Sequence, residues 1–140
     1  MKPKRILMIL CSSILLASCG QTESKEADGV KEGMIKVTIL YPNGEGKTFD
    51  MDYYANKHMP MVARLLGDSL KLQAIDNGLS GRTPDEPIPY LAIGYLYFDQ
   101  LSAYRNSFGP NAKQIVGDIP NYTNIQPIVQ ISEVLQPPGN

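Results

Sequence analysis

The sequence predicts an α+β protein of the ferredoxin-like kind, β-α-β-β-α-β, with a four-stranded antiparallel sheet that carries both helices on one face. Three observations lead there. Four segments are rich in β-branched and aromatic residues with strand-like alternation. Two helix-patterned regions follow the first and the third of them. The chain has 140 residues, the length of one domain.

The first strand is MIKVTILY, in which Ile35, Val37, Ile39 and Tyr41 alternate with Lys36, Thr38 and Leu40. PNGEGKT is a loop. Asp50 is the expected N-cap of the first helix, with Phe49 and Tyr54 at the spacing of a hydrophobic staple. That helix runs through DYYANKHMPMVARLLG to Gly67, and Pro60 inside it predicts a kink or a restart. SLKLQAIDNGL reads as the second strand, SGRTPDEPIPY as a proline-rich loop and YLAIGYLYF as the third strand. DQLSAYRNSFG is expected as a short helix opened by Asp99, with NAKQIVGDI as a separate turn of helix. IQPIVQISEVL is the last strand, which sets the domain at residues 34–135 with a tail at 136–140.

A sheet with helices on one face leaves its other face to be covered. Here that face carries apolar side chains, so pairing with a second copy through the strands that begin at Met34, Tyr90 and Ile125 is the expected solution.

The N-terminus has a different character. MKPKR is a basic segment and ILMILCSSILLA an apolar one, shorter than the roughly 20 residues a spanning helix needs. The following LASC resembles the bacterial lipoprotein signal, in which the chain is cut before an invariant cysteine that then carries lipid. The resemblance implies a signal at 1–18, lipidation at Cys19 and a polar, flexible tether over 19–33. The protein is then held on a membrane of the bacterial cell envelope. With Lys2, Lys4 and Arg5 removed, ten basic side chains face fourteen acidic ones, which speaks against a nucleic-acid partner.

Several chemistries lack their residues. Cys11 and Cys19 both lie in the N-terminal segment, so the domain has no thiol for a disulfide, a zinc site or a nucleophile. One histidine and no cysteine cannot build a zinc centre, and the acidic residues do not follow a calcium-loop pattern. GEGKT suggests a phosphate-binding loop, but Tyr41 stands where the first glycine belongs. Read as a dinucleotide fingerprint, Gly44 and Gly46 are followed by Phe49 in the third place. No cofactor or metal is expected.

The chemistry that remains centres on His58, the sole histidine, in YYANKHMP. Tyr54 lies four residues before it on the same helix face, and Asp50 a further turn back is a carboxylate that could orient the ring. The opposing reading is a histidine that points to water at the turn broken by Pro60.

FDMDYYANKHMPMV, GYLYFD and DIPNYTNIQPIVQIS resemble the EthD family of dimeric α+β barrel proteins over most of residues 34–135. The resemblance implies a homodimer whose subunits pair sheet to sheet, with a pocket between sheet and helices. It places the family's helix histidine on His58, the following proline on Pro60 and the preceding aromatic pair on Tyr53 and Tyr54. Members are often labelled reductases, and related barrels include cofactor-independent enzymes of aromatic compounds. Two functions follow. One is an enzyme of small, low-polarity organic compounds, an oxidoreductase by family label or cofactor-independent, with His58 as acid/base and Tyr53 or Tyr54 beside it. The other is a non-catalytic lipoprotein module that binds a small ligand or a partner. His58 facing a semi-enclosed pocket favours the first, and His58 in open water the second.

Overall fold

The structure, a computed structural model, describes residues 29–138. The signal at 1–18, Cys19 and most of the tether lie outside the described residues. Strand β1 (Ile35–Pro42) is followed by α1 (Met51–Tyr53), a π-helical segment (Tyr54–His58) and α2 (Met59–Leu66), which together form one helical rod. Then come β2 (Leu72–Asn77), β3 (Tyr90–Phe98), α3 (Leu101–Gly117) and β4 (Ile128–Glu133). The sheet is antiparallel throughout in the order β2-β3-β1-β4. This is the ferredoxin-like arrangement that the element order predicts.

Alternation divides the sheet into two faces. Val37, Tyr41, Ala92, Leu96 and Phe98 are buried beneath the helices. Leu40, Ile93 and Ile128 stand on the opposite face, where Leu40 pairs with both of the others. That face also holds Lys36, Thr38 and Gln130, so it is mixed rather than uniformly apolar. The last residues before β1 are bound in: Gly33 N donates to Val134 O and Val134 N to Met34 O, both at 2.8 Å.

The helical rod begins as expected. Asp50 Oδ1 accepts from Tyr53 N at 2.9 Å, and the Phe49 and Tyr54 rings meet with centroids 5.1 Å apart. Gly67, at φ 54, ends it in the left-handed region where a Cβ is costly. Pro60 acts one turn upstream of its own position. A proline in an α-helix lacks a donor and crowds the carbonyl four residues back. The chain widens there into the π-segment, in which Met59 N reaches back to Tyr54 O.

Three local expectations change. The second helical region is one helix, Leu101–Gly117, rather than two pieces. The helix continues through Pro110, and beside it Asn111 Nδ2 donates to Ser107 O (2.8 Å) and across to Leu65 O (3.1 Å), tying α3 to α2. Its N-cap position is Gln100 rather than Asp99, without a side-chain capping bond. β2 and β4 are shorter than the apolar runs that announced them. Ile125, expected in the last strand, instead enters the core ahead of it.

Candidate functional site

A cavity of about 100 Å³ lies between the sheet and the helices. Its floor is Val37, Ile39 and Leu96, and its far wall includes Tyr104, Phe108 and Ile119. Tyr41, Tyr54 and His58 form its polar corner. Val116 and Val129 line it while remaining 52% and 51% exposed, so the opening lies between the end of α3 and β4. Among the described residues, no lysine, arginine, aspartate or glutamate lines it. An apolar cavity of roughly 150 Å³ holds benzene, so this smaller one encloses part of a small ring, with the rest at the mouth.

His58 is 5% exposed and carried on the π-segment. Its ring stacks on Tyr54, with centroids 5.5 Å apart at 16°. Nδ1 lies 2.8 Å from Asp118 Oδ2, at the C-terminal end of α3. An ionised carboxylate only accepts, so Nδ1 carries the proton and Nε2 presents its lone pair. Tyr122 OH is 3.4 Å from Nε2 and 2.7 Å from Tyr41 OH. The other carboxylate oxygen, Asp118 Oδ1, accepts from Tyr53 OH (3.0 Å) and Asn121 Nδ2 (2.8 Å). Asp118 thus joins the inner ring to the surface.

Burial holds His58 below its ordinary pKa, and the hydrogen bond and charge of Asp118 oppose this only in part. Burial pushes Asp118 upward, but hydrogen bonds from His58, Asn121 and Tyr53 outweigh it, and its carboxyl sits below the usual value. Burial also pushes the Tyr41, Tyr54 and Tyr122 phenols well up, so all three are protonated at neutral pH. The resting site is therefore a neutral imidazole held in one tautomer by an ionised carboxylate.

This arrangement has a consequence for stability. Unfolded His58 takes up a proton near its ordinary value of 6.5, whereas the folded chain resists until the pH is lower. The unfolded state binds more protons between those two points, so the contribution is fully present above about 6.5 and is lost as the pH falls through the folded value. Asp118 gives a second loss of the same sign below the ordinary carboxyl range. Denaturant titrations across mild acid are expected to show stability falling from pH 7 towards 5 in wild type. That first fall is expected to vanish in His58→Gln.

Of the three residues read as the site, His58 and Tyr54 line the cavity together. Tyr53 lies elsewhere: its hydroxyl is on Asp118, its ring stacks at 6.1 Å on Tyr122, and Lys57 Nζ lies over it at 5.0 Å. Asp50 does not orient His58, because its side chain is committed to the N-cap. Asp118 takes that role, and Tyr41 and Tyr122 join the group. Sequence reasoning missed all three because they come from β1 and from the segment after α3, far from His58 along the chain. One local signal was available. Gly94 interrupts a strand of bulky residues, and a Cβ there would overlap the Tyr54 hydroxyl.

Among the described residues no group of three metal-ligating side chains is assembled, and no helix is long and apolar enough to cross a membrane.

The fold and its pocket define a class: a ferredoxin-like α+β subunit with a buried histidine, paired to a half-buried aspartate, at the polar end of an apolar cavity. The EthD domain family matches residues 43–126. The chain belongs to that family. It is similar to an EthD-like protein from Ralstonia eutropha JMP134, at 38% identity and a TM-score of 0.72, over 76% of this chain and 96% of that one. An ethyl tert-butyl ether D (EthD) family protein from Bacillus halodurans C-125 matches at 18% identity and a TM-score of 0.48, over 71% of this chain and 97% of that one. Among curated proteins, none matches the sequence.

Proposed function

We propose that this EthD-family protein is an acid/base enzyme acting on a small, low-polarity organic compound held between sheet and helices, with His58 as the base. The observation that carries the proposal is the buried His58 ring on the wall of an apolar cavity, with its Nδ1 2.8 Å from the half-buried carboxylate of Asp118. A site that only binds does not need a buried imidazole held in one tautomer by a carboxylate, since burying an ionisable ring is costly. Neutral imidazole on an apolar cavity wall is suited to removing a proton near pH 7, and Asp118 stabilises the imidazolium that forms. Either an oxidoreductase, as the family is labelled, or a cofactor-independent enzyme could use that step.

The direct test is hydrogen exchange. Small phenols and ketones are incubated with the protein in deuterated water and followed by mass spectrometry. Catalysed deuterium uptake at carbon, lost in His58→Gln, is the expected result. Binding without any exchange across the panel would favour the non-catalytic module.

Two further parts of the reading concern where and how the protein works. The open sheet face, with Leu40, Ile93 and Ile128, is proposed to pair with a second copy, burying at least ~1,200 Å² in total. Light scattering is expected to give a dimer, and Ile128→Asp to shift it to monomer. A wild-type monomer at micromolar concentration would remove this part. LASC is proposed to direct lipidation of Cys19 and retention on the cell envelope. Cys19→Ser is expected to move the protein to the soluble fraction on cell fractionation, and an equally firm hold in the variant would contradict the anchor.

A further inference from the structure

Tyr53 does not line the cavity, but its hydroxyl shares a partner with the His58 ring. His58 Nδ1 lies 2.8 Å from Asp118 Oδ2, and Tyr53 OH donates to Asp118 Oδ1 at 3.0 Å. Two side chains of one helical rod thus hold both oxygens of one carboxylate. An ordinary α-helix does not favour this. Residues four apart share a face there, and residues five apart point roughly 140° away from each other. Tyr53 and His58 are five apart, but the turn between them is the widened one, in which Met59 N bonds to Tyr54 O. A turn closed five residues back brings residues five apart towards one side. Pro60, with no N–H to close a tighter turn, favours it. Both rings are held in place: Tyr53 stacks on Tyr122 with centroids 6.1 Å apart, and His58 on Tyr54 at 5.5 Å.

We propose that Tyr53 is a positioning residue for His58: by holding Asp118 Oδ1 from the rod that carries the imidazole, it keeps Oδ2 on Nδ1 and so keeps the basic lone pair on Nε2. Asn121 Nδ2 also donates to Oδ1, at 2.8 Å, but it belongs to the same turn as Asp118, with its own N bonded to Asp118 O at 3.0 Å. A donor that moves with the carboxylate cannot fix it against His58, whereas a donor on the rod can. Asp118 needs that hold because it is half-buried at the end of α3, where water competes for its oxygens. Among the described residues, the titratable groups around the pair are Tyr53 and Tyr54 on the rod, Tyr122 after α3 and Tyr41 of β1 beyond Tyr122, with Lys57 Nζ 5.0 Å over the Tyr53 ring. The bond to Asp118 pushes the Tyr53 phenol up, and burial does so for the other three. No phenol therefore changes charge where His58 titrates.

The inference rests on the reading of His58 as the base, and its first test needs no substrate. The nitrogen NMR spectrum of the full-length protein reports the tautomer and the titration of the single histidine. Tyr53→Phe keeps the stacked ring and removes only the donor. Its neutral His58 is expected to become a mixture of Nδ1–H and Nε2–H forms. Its midpoint is expected to fall below that of wild type, because the bond that favours the imidazolium is loosened. Asn121→Ala, which removes the local donor, is expected to shift both far less. An unchanged tautomer in Tyr53→Phe, a midpoint that stays or rises, or an equal shift in Asn121→Ala overturns the proposal. Catalysed deuterium uptake is expected to fall roughly tenfold in Tyr53→Phe, the weight of one hydrogen bond to a charged group. Undiminished uptake overturns the proposal as well. Absence of uptake in wild type removes the acid/base reading itself, and the nitrogen spectrum still decides whether Tyr53 positions the ring.

Discussion

His58→Gln is expected to reduce catalysed proton exchange by a factor of roughly 10²–10⁴, the range that a positioned acid/base group contributes. Glutamine fills a similar space and can donate to Asp118, so the fold should persist while the basic nitrogen is gone. Asp118→Asn is expected to act through His58. It removes the charge that stabilises the imidazolium, and its amide can accept or donate at Nδ1, so the tautomer is no longer enforced. The loss should therefore appear with a further downward shift of the His58 pKa, whereas a purely structural role for Asp118 would leave that pKa alone. Deuterium uptake measured for both variants, beside the imidazole titration, checks the pair. Undiminished exchange in His58→Gln would mean that the base is another group.

Tyr54→Ala is expected to cost about 3–5 kcal/mol, the range for deleting a large buried aromatic ring. Tyr54 is 1% exposed and meets four other rings: Tyr41, Phe49, His58 and Tyr122. Its hydroxyl also fills the space over Gly94, with Ile39 Cδ1 the next nearest side chain. The void cannot close easily, because β3 lies in the interior of the sheet and is held by pairing on both sides. Tyr54→Phe should cost far less, about 1 kcal/mol, since only a hydroxyl is removed. Urea denaturation of the two variants separates packing from hydrogen bonding at this position. Equal losses would show that the hydroxyl, and not the ring, supports the site.

The fold was largely legible in the sequence because its signals are local. Alternation from Ile35 to Tyr41 and from Leu91 to Phe98 has the period of a strand, and Asp50 with the Phe49–Tyr54 staple starts a helix. What failed was also local in kind. The second helical region was expected in two pieces, but α3 runs unbroken through Pro110, and Asn111 ties it to α2 through Leu65 O. At Pro60 a disturbance was expected, and it takes the form of a widened turn that carries His58 itself. The candidate site was half legible. His58 and Tyr54 share a helix and could be paired by spacing, whereas Asp118, Tyr122 and Tyr41 meet them only once β1 and the end of α3 are packed together. Asp50 was a reasonable orienting carboxylate by spacing alone, and the N-cap claimed it first.

The central claim is that His58 rests as a neutral imidazole, protonated at Nδ1 by its bond to Asp118 and buried at the end of an apolar cavity. Nitrogen NMR titration of the single histidine tests this most directly. The account predicts a midpoint below 6.5, with Nδ1 protonated and Nε2 bare above it, and a midpoint that falls further in Asp118→Asn. A midpoint at or above 6.5, or a neutral form protonated at Nε2, would contradict it.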